Sequence, residues 1–167
     1  NRMTRGAIIL AYHSIGLNPL FFTVSPKEFR RHMAWLYGQR FNVVSLETLA
    51  GYLTRGTIPP KTIAITFDDG YEDNFTNAYT VLREYGFQAT IFTTTNDIGS
   101  EGGERIPLKK LSEMQIREME ASGTVSVQPH TASHRKLVHL PGERVRHEVL
   151  TSKTYLEEML GKKCEHF

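Results

Sequence analysis

A chain of 167 residues with 40% hydrophobic and 23% charged residues fits one globular domain with a substantial core. Its net charge of +2 is mixed in sign along the chain, which excludes the basic stripe of a nucleic-acid binder. No apolar run is long enough to cross a bilayer, and the single cysteine, Cys164, excludes an internal disulfide and a cysteine-built zinc cage. The opening Asn1-Arg2-Met3-Thr4-Arg5 shows no apolar stretch of a signal peptide.

The continuous apolar run from Gly6 to Tyr12 predicts a strand buried on both faces, with His13-Ser14-Ile15-Gly16 at its carboxyl end. Residues 18–23 read as loop. Ser25-Pro26-Lys27-Glu28 predicts a helix start, with Ser25 as N-cap, Pro26 at the first helical position and Glu28 closing a capping box. Phe29, Met33 and Leu36 then share a face, and Gly38 stops the helix. Val43-Val44 is a short strand. Ser45 caps a second helix with Leu46, Leu49, Ala50 and Leu53 on its apolar face and Gly56 as its stop. Pro59-Pro60 leads rigidly into Thr62–Phe67, a buried strand that runs into Asp68-Asp69-Gly70.

Beyond Gly70 a helix carries Phe75, Ala78, Tyr79 and Leu82 on one side and ends at Gly86. Residues 88–94 form the next strand, and 99–104 a polar, glycine-rich surface loop. Ser112 and Gln115 make a second capping box, opening a helix that runs to Gly123. Thr124–Val127 is a strand stopped by Pro129, and His130-Thr131-Ala132-Ser133-His134 follows. A long last helix carries Val145, Val149, Ser152, Leu156 and Leu160, and residues 164–167 look like the start of another strand. Strand and helix alternate, so the fold class is α/β with parallel strands joined by right-handed crossovers. The chain is short for a complete α/β barrel.

In such folds ligands sit beyond the carboxyl ends of the strands. Three strands here end in ionisable groups: His13, the pair Asp68-Asp69, and His130 with His134. Two adjacent carboxylates at a buried strand end repel each other, so stability alone does not favour them. On a turn of helix, a spacing of four puts His130 and His134 on one side, within reach of a shared metal ion. Two imidazoles and one carboxylate leave open positions, as a catalytic zinc site does. One aspartate would then bind the cation while its neighbour acts as general base. His13 is a pocket wall or a loop support. His32, His139, His147 and His166 lack a paired ligand and read as structural or exposed. Phe29, Trp35, Phe75 and Tyr79 have the spacing of core residues, and Cys164 reads as a small buried residue.

With Thr66-Phe67-Asp68-Asp69-Gly70 and His130-Thr131-Ala132-Ser133-His134 in this order, the chain resembles the polysaccharide deacetylases of carbohydrate esterase family 4, the NodB-homology domain. Tyr12-His13-Ser14-Ile15-Gly16 and residues 41–49 resemble the branch that includes the poly-N-acetylglucosamine deacetylases of biofilm systems. The resemblance implies a distorted (β/α) barrel, a single domain over residues 1–167 that is incomplete at the carboxyl end. It implies an extracytoplasmic or cell-surface protein that hydrolyses N-acetyl groups on N-acetylglucosamine units of a cell-envelope polymer or exopolysaccharide. Carried over, Asp68 would be the general base, and Asp69, His130 and His134 the ligands of one divalent ion, zinc first, with cobalt, nickel or manganese as alternatives. Thr131 would brace the histidine loop by hydrogen bonding. Gln128-Pro129 replaces the usual small residue before the first histidine, and the family's late Leu-x-His, which supplies the general acid, is absent. The acid is therefore expected outside these residues, which puts the activity of this chain alone in question. Two other readings compete: a non-catalytic polysaccharide- or metal-binding remnant of such an enzyme, and a phosphoacceptor domain, which has no use for the histidine pair.

Overall fold

The structure is a computed structural model that describes residues 6–102 and 106–167. Asn1–Arg5 and the last two residues of the predicted 99–104 loop lie outside the described residues. Five parallel strands form the main sheet: β1 (Ile8–Tyr12), β2 (Asn42–Val44), β3 (Thr62–Phe67), β4 (Ala89–Thr93) and, after a two-stranded hairpin of β5 (Glu101–Gly102) and β6 (Leu108–Lys109), β7 (Val125–Pro129). The helices are α1 (Pro26–Gly38), α2 (Leu46–Arg55), α3 (Thr80–Tyr85), α4 (Glu113–Ala121) and α5 (Gly142–Leu160).

The central strand is β3. Along one edge it pairs with β1 from Ile8 against Ile63 to Tyr12 against Phe67. Its other edge is divided, with β2 pairing residues 62–64 and β4 pairing Thr66 and Phe67. β7 continues the sheet beyond β4. Strand residues alternate between faces. One face carries Tyr12, Ile63, Ile65, Phe67, Ile91, Val125 and Val127, and it packs against Phe29 and Met33 of α1, Leu82 of α3, Ile116 and Met119 of α4 and Leu156 of α5. The other face is built from smaller and polar residues, among them Thr62, Ala64, Thr66, Thr90 and Gln128, all buried. There α2 sets Leu49 against Val44 and Ala64. Apolar bulk on one face and small side chains on the other suit a sheet that curls toward a barrel, with the small residues inside.

Local signals act largely as the sequence predicts. The hydroxyls of Ser25 and Ser45 accept from the Glu28 and Thr48 amides at 3.2 and 3.1 Å. The Ser112/Gln115 box closes in both directions, whereas Glu28 turns outward to Arg31 and leaves the first box half formed. Other elements differ from expectation. β1 is not buried on both faces, since Ile8 and Ile9 are more than half exposed, and β7 takes in Pro129 as its last residue. Gly38 lies inside α1, whose cap is Gln39. Glu101 and Gly102 of the expected 99–104 loop form β5 of the hairpin rather than a plain loop. Residues 164–167 form no strand, although Cys164 is buried as predicted. Trp35 is 57% exposed, because it lies at the flank of α1 and rests on Phe41 rather than entering the core.

The helix after β3 opens with a wide turn over Asn74–Tyr79 before tightening into α3. Such widened turns concentrate near functional sites. Here it aims two amides at the loop after β1: Asn74 Nδ2 donates to the His13 carbonyl and Asn77 Nδ2 to the Ile15 carbonyl, each at 2.7 Å. Asp73 accepts from Ser14 Oγ at 2.5 Å and from the Ile15 amide at 2.9 Å. The loop that carries His13 is thereby tied to the segment that follows the acidic turn.

Candidate active site and metal centre

β1, β3 and β7 bring His13, Asp68-Asp69 and His130 to one end of the sheet, their common carboxyl edge. Asp69 adopts a left-handed backbone at φ 70°, and Gly70 follows at φ 63°. That turn lets two neighbouring side chains, which would face opposite ways in a continuing strand, serve one centre. Gly70 is required on two counts. Its φ favours glycine, and an added Cβ would lie 2.2 Å from Thr93 Oγ1 at the end of β4. The exit from the turn is pinned to the segment after β6, the Leu111 amide bonding to the Gly70 carbonyl and the Glu72 amide to the Lys109 carbonyl, both at 2.9 Å.

The histidine motif is not helical. Its backbone is irregular, with Thr131 at φ 67° and His134 at φ 55°. For a β-branched residue such as Thr131 this is a true outlier. The neighbours hold it: His130 N donates to Thr93 O at 2.9 Å, Thr95 N to Thr131 O at 3.3 Å and Asn96 N to Ala132 O at 2.9 Å. Thr131 Oγ1 accepts from the His134 amide at 2.9 Å. From α5, Glu148 takes two hydrogen bonds from Ser133, 2.8 Å from the amide and 2.6 Å from the hydroxyl.

These loops bring three side chains together. The Nε2 atoms of His134 and His130 stand 3.0 and 3.6 Å from Asp69 Oδ1, and one donor atom from each residue lies within 4.8 Å of the others. Asp69 Oδ1 is buried and, among the described residues, receives no hydrogen bond. A buried carboxylate oxygen normally has a donor. An orphaned oxygen facing two imidazoles suits a divalent cation, and the residues fit one. Asp68 lies outside this trio, its Oδ2 3.9 Å from His13 Nε2.

The electrostatics separate the two carboxylates. Burial alone would raise Asp69, but contact with His134 and then the Lys110 charge pull it down to about 2. Burial dominates at Asp68 and pushes it above the usual carboxylate range, against the opposing charges of His130 and His13. His134 is raised, first by its contact with Asp69, and His130 is lowered by burial. Two carboxylates with divergent proton affinities suit a permanently ionised ligand beside a proton acceptor.

Sequence reasoning missed three residues here. Tyr71, whose hydroxyl donates to Asp69 Oδ2 at 3.3 Å, directly follows the motif. Glu148 occupies a helix face predicted as apolar, and a lone acid between Val145, Val149 and Ser152 was the available signal. Lys110 carries no local signal at all.

The sequence model of the polysaccharide deacetylase family matches residues 55–167. The chain belongs to the polysaccharide deacetylase family. It is 36% identical over 152 residues to the Bacillus subtilis protein YxkH, assigned to the same family, covering 90% of this chain and 51% of that protein. It is 29% identical over 146 residues to a poly-beta-1,6-N-acetyl-D-glucosamine N-deacetylase of Staphylococcus epidermidis, covering 87% of this chain and 48% of that one. The solved structure of IcaB from Ammonifex degensii matches with a TM-score of 0.86 at 26% identity, over 95% of this chain and 71% of that one. The chain spans about half the length of the curated relatives it matches. The fold is that of the NodB-type deacetylases of this family, a distorted barrel of which this curled parallel sheet is a part.

Proposed function

We propose that the protein is a metal-dependent hydrolase that removes N-acetyl groups from N-acetylglucosamine units of an extracytoplasmic or cell-surface polysaccharide. The observation that carries this reading is the buried, unbonded Asp69 Oδ1 facing His130 and His134, with Asp68 beside it. Asp69, His130 and His134 would hold a divalent ion, zinc first among the candidates. When bound, the ion supplies Lewis-acid polarisation of the amide carbonyl and eases deprotonation of water. Asp68, raised by burial, accepts the proton of the attacking water. The departing amine needs a proton in turn. His13, which is no part of the ligand trio and faces Asp68 across 3.9 Å, is the group we assign to deliver it. This assignment departs from the sequence expectation that the acid lies outside these residues. Thr131 and Glu148 hold the histidine loop in register.

Acetate release from β-1,6-linked N-acetylglucosamine oligomers, with zinc, cobalt, nickel or manganese added to metal-stripped protein, tests the proposal. Asp68→Asn and His13→Gln should each lower kcat by roughly 10²–10⁴-fold while leaving bound metal in place. His130→Ala with His134→Ala should abolish metal binding. A protein that takes up no divalent ion overturns the whole assignment. Metal uptake without acetate release from any oligomer reduces the centre to a binding site.

A further inference from the structure

Lys110 leaves β6 and reaches back across the acidic turn. Its Nζ donates to the main-chain carbonyl of Asp69 at 2.8 Å and stands 3.9 Å from the centre of the Tyr71 ring. The same tyrosine donates its hydroxyl to Asp69 Oδ2. Main-chain bonds on both sides of Lys110, Glu72 to Lys109 and Leu111 to Gly70, fix where its stem begins. Asp69 sits at φ 70°, in the left-handed region, which aspartate enters more readily than most L-residues but still at some cost. Lys110 bonds this residue at its carbonyl and Tyr71 at its carboxylate.

We propose that Lys110 is a positioning residue for the metal centre, locking the Asp69 turn so that its carboxylate meets the two imidazoles. The inference rests on the reading of Asp69, His130 and His134 as metal ligands. Two effects of an ammonium at this place have opposite signs. Its charge repels an incoming divalent ion, which weakens binding, while its hydrogen bond holds a ligand in place, which strengthens binding. The geometry points to the second as the larger. The ammonium is directed at a carbonyl oxygen and laid over an aromatic face, which together take up part of its charge. Partners that orient a metal ligand contribute about 10–100-fold in affinity.

The two effects make opposite predictions for Lys110→Met, which keeps the apolar stem and removes the ammonium. Zinc and cobalt would be titrated into the wild type, Lys110→Met and Lys110→Arg, with the visible spectrum of bound cobalt recorded and thermal unfolding of each metal-free protein measured in parallel. Lys110→Met is expected to bind zinc about 10–100-fold more weakly and to shift the cobalt bands, with Lys110→Arg restoring most of both. Equal or tighter binding by Lys110→Met with an unchanged cobalt spectrum overturns the inference and leaves the metal site standing. If Lys110→Met does not fold, Lys110→Gln carries the same comparison. A wild type that binds neither metal overturns both the inference and the site.

Discussion

If Asp69, His130 and His134 hold a metal ion as proposed, protons compete with it for the same three side chains, and their proton affinities would set the pH range of binding. Ligands bind in their deprotonated forms. Asp69, held at about 2, stays ionised throughout any practical range. His134 is raised by Asp69, so its protonated, non-ligating form persists to higher pH than in a free histidine. Zinc affinity should therefore be full at alkaline pH and should fall by roughly tenfold per pH unit once His134 protonates. Competition against a chromophoric chelator between about pH 5 and 8 measures this, and a flat profile would remove the imidazoles from the site. At this scale the sequence was legible where chemistry sits at a strand end, as with Asp68-Asp69-Gly70. It was illegible where a long side chain such as Lys110 arrives from a distant hairpin, because nothing in its neighbours encodes the reach.

Among elements, the histidine loop and α5 act as one unit. The spacing of His130 and His134 suggested a helical turn, but the loop instead uses two left-handed residues, and the helix contributes through Glu148 from outside. Glu148 is 8% exposed. Burial opposes its charge, yet the two hydrogen bonds from Ser133 prevail and hold it below the usual glutamate range. Because its folded-state value is depressed, its contribution to stability is present above the unfolded value and is lost as pH falls toward the folded one. Glu148→Gln should lower stability by about 1–3 kcal/mol near neutral pH and flatten the acid side of the stability profile. Urea unfolding at several pH values measures both. An unchanged acid limb would show that Ser133 and Glu148 are not coupled in solution. The buried face of α5 is offset from the apolar periodicity for the same reason: Glu148 and Met159 are buried along with Ser152 and Leu156, whereas Val145, Val149 and Leu160 are only partly covered. A polar residue bound to a loop breaks the pattern that the periodicity assumes.

For the whole molecule, alternation of strand and helix revealed a parallel α/β fold, and strand ends revealed which residues could meet. The division of one β3 edge between β2 and β4 was not readable, since it depends on how the sheet coils rather than on any local propensity. Among the described residues β1, β2 and β7 are each paired on one side only, so the sheet stays open along those strands.

The left-handed backbones at Asp69, Thr131 and His134 bear on how this protein would respond to selection. Strain of this kind costs on the order of 1–3 kcal/mol at each position, and all three positions belong to the candidate site. With the proposed metal site, heat resistance and metal binding would draw on the same few residues in opposite directions. A library selected for thermal tolerance alone, with no demand for activity, should collect glycine or asparagine at positions 69, 131 and 134 ahead of exposed positions elsewhere. Its survivors should melt higher and bind zinc more weakly. Sequencing the survivors against the starting pool measures the bias, and an even spread of substitutions would mean that the strain is too small to matter.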